Sequence, residues 1–415
     1  MRIAAEGVMT HEATLRPPGA LPKTSRSFTF VDSGSTCSKS IAARDNKPSR
    51  SMTEDRPLTH RGNHSFCRHH HQRQHVEGRR QGGEREMEIE GASLDAVLHR
   101  LYRELLKHGR SAGGTRGDNR EMLGVSLRIH NPRARISRSE NRGKPFSAFG
   151  ELLWYLSGSD TLAFIKPYVA RYADDAVHGI LEGAYGPRLT RMRDRIDQFA
   201  SVETLLKERP ASKRAVIQLF NAEDIVTHHK EIPCTTTWQF LLRDGLLHMS
   251  VTMRSNDAYF GLPHDVFCFT MIQEMMARRL GVEMGEYLQY VGSMHVYESK
   301  LDAMAEYVAE GVQQTIAMPA MPDGNPFKLI GQLLHIEQRL RAGEELDASN
   351  EMADPYWADI VRLLQVFWAR EWVEDHPHRL KQLRAELANS TYHPFVDARM
   401  HLKPKPRAAL QIDTA

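Results

Sequence analysis

An α/β fold is predicted by three stretches of this 415-residue chain: alternating apolar residues at Val125, Leu127 and Ile129, a hairpin around Asp244-Gly245, and a long apolar helix pattern from Asp265 to Leu280. Strands repeat every two residues and helices every 3.6 or so, and each of these segments keeps to one period. The hairpin is the firmest signal. Asp-Gly suits the positive backbone angles of a type I′ turn, and it joins the runs Trp238 to Arg243 and Leu246 to Met253.

Taken in order, residues 1 to 86 are rich in Ser, Arg, His, Pro and Gly and follow neither period, so they read as a disordered tail; a mis-assigned start before Met87 is the alternative. The tail holds 15 Lys and Arg against 9 Asp and Glu, and the remainder 40 against 43. The body therefore gives no electrostatic case for nucleic acid, and any anion site has to be local. Cys67-Arg-His-His-His with His75 could bind a metal, although the spacing matches no closed site.

Residues 87 to 415 read as a single domain. Ser93 is the expected N-cap of a helix through Leu94, Val97, Leu98, Leu101 and Leu105, stopped at Gly109. A glycine-rich loop from Gly113 to Arg120 leads into the first strand, which Asn131-Pro132 ends. Phe146 to Leu156 is apolar nearly all round and predicts a buried helix, yet it carries Glu151. An ionised carboxylate there is costly without a partner, such as an arginine at the helix end, or a chemical task.

Residues 166 to 212 are more polar, with a turn expected at Ala184-Tyr-Gly-Pro and a helix from Asp194 to Lys207. Arg214 to Phe220 reads as a strand. Beyond the helix that Gly281 stops, Glu286 to Val291 alternates again. Helices over Glu298 to Val312, Pro326 to Ala342 and Pro355 to Trp372 finish the chain.

Several function classes drop out. The four cysteines show no CxxC spacing, which speaks against a disulfide framework and for a reducing, cytoplasmic setting. No apolar run approaches the ~18 residues of a membrane helix, and no secretion signal opens the chain. Neither GxGxxG before a helix nor GxxxxGK followed by Ser or Thr occurs, so a bound phosphate would be met by arginines.

Chemistry concentrates between Glu231 and Tyr297, in Glu-Ile-Pro-Cys, Arg-Ser-Asn-Asp, Gly-Leu-Pro-His-Asp and Gly-Ser-Met-His-Val-Tyr. Cys234 follows a proline at the start of a strand, near Lys213, Arg214 and Arg254; a guanidinium beside a thiol favours the thiolate. An inert buried cysteine is the plain alternative. With Asp265 and His295, Cys234 could also form a Cys-His-Asp hydrolase set, a reaction in which the arginine cluster has no part.

The order Glu-Leu-Leu-Trp, Tyr-Gly, Lys-Arg, Pro-Cys, Gln-Phe, Asp-Gly-x-Leu, Arg-Ser-x-Asp, Gly-Leu-Pro and His-x-Tyr resembles the thymidylate synthase and pyrimidine hydroxymethylase superfamily. It runs from about Leu94 to Tyr297 and is most specific from Cys234 onward. The resemblance implies a large bent sheet flanked by helices and a homodimer whose sheets pack face to face. It further implies that Cys234 attacks C6 of a pyrimidine nucleoside monophosphate, so that C5 takes a one-carbon unit from 5,10-methylenetetrahydrofolate. Arg254, Ser255 and Arg116 would hold the 5′-phosphate, with Lys213 and Arg214 supplied by the partner subunit. His295 and Tyr297 would grip the sugar, Tyr185 would line the substrate site, Glu151 would manage protons and water, and Asp257 would meet the pterin. No membrane and no nucleic acid is required.

The departures from the pattern bear on the reaction. Thymidylate synthases typically carry Asn where this chain has Asp265; a carboxylate suits the donors of cytosine, which points to hydroxymethylation of dCMP or CMP. Asp265 could equally serve as the N-cap of the following helix. Between Pro167 and Tyr185 the usual tryptophans are missing, His264 replaces the usual Phe and Ser293 the usual Asp. A wetter pocket favours water over hydride as the final nucleophile. A divergent thymidylate synthase acting on dUMP and a catalytically silent nucleotide-binding dimer are the other readings.

Overall fold

The structure, a computed structural model, describes residues 88–114, 117–140, 145–373 and 375–403. The tail, its Cys67 and His75 cluster, the start at Met87, and Arg116 lie outside the described residues.

Seven strands form one mixed sheet: β1 Glu88–Gly91, β2 Arg110–Ala112, β3 Asn119–Ile129, β4 Val216–Gln218, β5 Thr235–Arg243, β6 Leu246–Asp257 and β7 Glu283–Tyr297. Their order is β1-β3-β7-β6-β5-β4, with β2 on the free length of β3. β1 with β3 and β6 with β7 are parallel, and the other pairs antiparallel. The hairpin forms as expected, with φ of 52° at Asp244 and 75° at Gly245. Register shifts between Thr235 and Thr237 and between Leu247 and Met249 bend the central strands.

The helices are α1 Leu94–His108, α2 Pro145–Ser157, α3 Leu162–Ile165, α4 Tyr185–Thr190, α5 Gln198–Glu208, α6 Gly261–Leu280, α7 Leu301–Ala309, α8 Ile330–Arg341, α9 Ala348–Glu351, α10 Pro355–Trp372, α11 His376–Glu386 and α12 His393–Met400. Ser93 caps α1, accepting from the Ala96 backbone N–H at 3.2 Å. Two expectations are corrected. Ala184-Tyr-Gly-Pro opens the short helix α4 instead of a turn, because Pro187 falls in the first turn, where a proline needs no backbone donor. α6 begins at Gly261, so Asp265 lies inside the helix and is not its N-cap. The N-cap position is Phe260, which has no side-chain cap, while Asp257 Oδ1 orders the turn before the helix by accepting from the backbone N–H groups of Tyr259 at 2.9 Å and Phe260 at 3.0 Å.

α1 and α6 pack on the sheet, α2 packs on α6, and α8 and α10 pack on α2. Sandwiched in this way, α6 is buried over Val266 to Ala277, which explains its run of Phe and Met. Arg135 and Glu274 form an ion pair inside the core, and Glu274 Oε1 also accepts from the Met321 backbone N–H at 2.9 Å. The outermost helical layer reaches back toward α2 through Tyr168. The Tyr168 ring lies against Gly150, where an added Cβ would come within 2.0 Å of its Cγ. Tyr168 donates to Glu337 Oε1 at 2.7 Å, accepts from Trp368 Nε1 at 3.2 Å and stacks on Phe367 with centroids 4.5 Å apart. Among the strand residues, Leu123, Val216, Leu246 and Tyr290 are exposed.

Candidate active site

A cavity of about 860 Å³ opens where β6 and β7 end against α2 and α6, and nine of the predicted site residues line it: Glu151, Tyr185, Cys234, Arg254, Ser255, Asp257, Asp265, His295 and Tyr297. Parallel pairing of β6 with β7 sets Ser255 beside Ser293 and Asp257 beside His295, so two separate sequence blocks become one wall. Lys213 and Arg214 are not among the lining residues, and Lys213 accepts a hydrogen bond from Gln239 through its backbone carbonyl.

Cys234 stands just before β5, and Arg254 reaches over it. The Arg254 guanidinium is fixed by the carbonyls of Pro233 at 2.9 Å and Ile232 at 3.0 Å, leaving Nη2 3.6 Å from Cys234 Sγ. A cation held that near favours an anionic sulfur. Burial, with Asp265 and Cys234 nearby, pushes the Tyr185 hydroxyl well above its ordinary value, so it stays protonated and donates to Thr235 Oγ1 at 2.9 Å. His295 Nδ1 lies 3.3 Å from Ser255 Oγ, and its ring meets Tyr297 edge-on. The contacts of His295 and Asp265 thus run to Ser255 and Asn256, not along a Cys-His-Asp chain.

Glu151 is 5% exposed in the middle of α2, and among the described residues its ion-pair partner is His264 and not an arginine at a helix end. Instead its Oε1 accepts from Tyr172 at 2.5 Å and Tyr155 at 3.1 Å, while Oε2 lies 2.7 Å from His264 Nδ1. Burial by itself would raise its pKa; the hydrogen bonds and charge of His264, then the two tyrosine hydroxyls, outweigh that and hold the carboxyl below the usual range. Asp265 goes the other way. Burial, then the Glu151 and Asp257 charges, push it well above the carboxylate range, although Asn256 Nδ2 donates to its Oδ2 at 2.8 Å.

Several lining residues escaped the sequence reading. Tyr155 could have been found, since it sits four residues after Glu151 on the same helix face. Tyr172 comes from the irregular segment, where no period places it. Asn256 stood inside the quoted Arg-Ser-Asn-Asp block, with nothing to show that its amide turns to Asp265. Ser293 donates to Glu121 Oε2 at 2.6 Å, so a carboxylate from β3 stands beside that serine.

Over residues 99–323 the sequence matches the model of the thymidylate synthase family, and the chain belongs to that family. Among individual proteins it is similar to the deoxyuridylate hydroxymethyltransferase of Bacillus phage SP01, 32% identical over 224 residues that cover 50% of this chain and 57% of the relative. The chain thus matches little more than half the length of that protein. Among the described residues no helix is long and apolar enough to cross a membrane, and no cluster of side chains is arranged to hold a metal ion.

Proposed function

We propose that this chain transfers a one-carbon unit to C5 of a pyrimidine nucleoside monophosphate and releases a hydroxymethyl product. The observation that carries the reading is Arg254 Nη2 at 3.6 Å from Cys234 Sγ, in the cavity that also holds Glu151 and Asp265. Cys234 adds to C6, which makes C5 nucleophilic. Arg254 and Ser255 hold the phosphate, joined by Arg116; His295 and Tyr297 hold the sugar; Tyr185 packs beside the base. Glu151 orders water and moves protons at C4.

Methylenetetrahydrofolate, when bound, supplies the one-carbon unit. The residues fit such a group: Asp257 Oδ2 is buried, accepts no hydrogen bond, and lies 3.8 Å from Arg171, which leaves an acceptor for pterin N–H groups. Water as the final nucleophile is supported by hydroxyl and imidazole groups around Glu151, in place of the tryptophans usual for the family. The name of the phage relative agrees with this.

Cytidylate, as dCMP or CMP, is the first reading of the base, because an ionised Asp265 accepts from N4 and a protonated N3. Uracil is the second. Burial and the Glu151 and Asp257 charges push Asp265 upward, and a carboxyl that carries its proton offers one donor to O4 and one acceptor to N3–H. The relative named for deoxyuridylate favours that alternative. A second copy of the chain packed on the sheet would bring Lys213 and Arg214 to the partner's phosphate site.

Tritium release from 5-tritiated dCMP, CMP and dUMP, with mass analysis of the products, tests the reading. Release with gain of hydroxymethyl supports it, and the nucleotide released fastest identifies base and sugar. Release from dUMP ending in a methyl group would make the chain a thymidylate synthase. Nucleotide binding without release would make it a binding protein.

A further inference from the structure

His264 is held at both ring nitrogens by α2. Ser147 and Glu151 are one turn apart on that helix; Ser147 Oγ lies 3.0 Å from His264 Nε2, and Glu151 Oε2 lies 2.7 Å from Nδ1. All three side chains line the cavity, and the His264 side chain is 21% exposed.

The proton positions follow from the partners. An ionised carboxylate can only accept, so Nδ1 carries a hydrogen and donates to Glu151. In the neutral ring Nε2 then bears the lone pair, and the Ser147 hydroxyl donates to it. Glu151 is anchored in turn by Tyr172 and Tyr155, so the ring cannot rotate without breaking a buried network. An imidazole with an orienting carboxylate behind it and a lone pair met by a cavity-lining hydroxyl is built to take a proton through that hydroxyl or from a water that displaces it. Asp265, the next residue on α6, turns instead to Asn256.

We propose that His264 is the general base for the water that completes hydroxymethyl formation, with Glu151 as its positioning residue and Ser147 as the hydroxyl that holds that water or passes its proton. This rests on the C5 hydroxymethylation reading. At that stage Cys234 Sγ is bonded to C6 and an exocyclic methylene stands on C5. The water oxygen bonds to the methylene carbon while its proton passes to His264 Nε2. The methylene double-bond electrons move onto the C4 substituent. Their return restores the ring double bond between C5 and C6, breaks the C6–S bond and releases Cys234 as thiolate, whose charge the proton on His264 balances. No oxidant or reductant takes part.

The test uses His264→Phe, His264→Asn and Ser147→Ala in the full-length protein, in single-turnover reactions with 5-tritiated nucleotide, methylenetetrahydrofolate and 18O-labelled water. The ratio of hydroxymethyl formed to tritium released is expected to fall about 100-fold in both His264 variants, the size of a lost general base. With added 2-mercaptoethanol, the stalled methylene should be captured as a thioether. The acidic limb of product formation against pH should vanish. In ligand-free wild type, 15N NMR should show the Nδ1-protonated tautomer of His264, lost in Glu151→Gln.

An unchanged ratio with an unchanged pH profile in His264→Asn overturns the proposal, as does an Nε2-protonated tautomer. Equal loss of tritium release and product in that variant also overturns it, by reducing His264 to support for Glu151. Absence of tritium release from the wild type is a separate result: it removes the one-carbon reading itself, and the inference with it.

Discussion

Asn256 Nδ2 donates to Asp265 Oδ2 at 2.8 Å, tying the end of β6 to the second turn of α6 on the cavity wall. Asp265 is nonetheless pushed upward by burial and by Glu151 and Asp257. A carboxyl whose folded pKa exceeds its unfolded value adds stability below the unfolded pKa, and that stability is lost as pH rises through the folded one. Asp265→Asn removes this titration. Its melting temperature should exceed the wild type's at pH 8, and the gain should disappear near pH 4, about the ordinary value for Asp. Calorimetry across that range checks it; a gain independent of pH would mean that Asp265 does not titrate. The same variant should shift base preference from cytosine toward uracil.

Cys234→Ser should lower tritium release from the preferred nucleotide by at least about 10⁴-fold, the scale of losing a nucleophile. Nucleotide affinity, measured by calorimetric titration, should stay within several-fold. A variant that keeps its release rate would leave Cys234 as a packing residue.

Tyr172→Phe removes the 2.5 Å donor from Glu151, one of the hydrogen bonds that outweigh burial. The Glu151 pKa should then rise, and the acidic limb of tritium release against pH, the step before His264 acts, should move to higher pH. The loss at the pH optimum should be roughly 10-fold to 100-fold, the lower part of the range for proton transfer. An unmoved limb would separate Glu151 from that titration.

The elements that sequence placed correctly are those with a local cause. Ser93 caps α1 by bonding three residues ahead, and Asp244-Gly245 turns the hairpin through its own backbone angles. Glu151 was recognisable as a charge needing a partner, but the partner was not. His264 lies 113 positions away, and the choice between it and an arginine is made only when α2 packs on α6. For Asp265 only the N-cap alternative is removed. An aspartate after Gly-Leu-Pro-His also suits an N-cap, but α6 starts four residues earlier, at Gly261, which puts Asp265 inside the helix on the cavity wall. Lys213 and Arg214, neighbours of Cys234 in the sequence reading, do not join its cavity within one chain.

Glu274→Ala should destabilise the fold by about 3–5 kcal/mol, because Arg135 would be left as an uncompensated buried charge. Arg135→Met combined with Glu274→Leu should recover most of that, less the cost of the Met321 N–H, which loses its acceptor. Urea unfolding of the two variants gives the comparison. Equal losses would show that the unpaired charge is not the source.

Gly150→Ala should cost about 1–3 kcal/mol by overpacking, since the new methyl meets the Tyr168 ring. Combined with Tyr168→Leu, which frees the space, it should cost less than the sum of the two single changes. Additive losses in a thermodynamic cycle would place the strain elsewhere.

The likeness to the family stops at residue 323, yet Glu337, Phe367 and Trp368, which grip Tyr168, come from later in the chain. Tyr168 in turn fills the gap at Gly150, the residue before the carboxylate that anchors His264. The interval recognisable by ancestry and the interval that keeps α2 in place are therefore different lengths. A fragment trimmed to residues 99–323 would retain Cys234, Arg254, Asp265 and His295 and lose the buttress behind Glu151, so substitutions far out in α8 and α10 can shift Glu151 without touching the cavity.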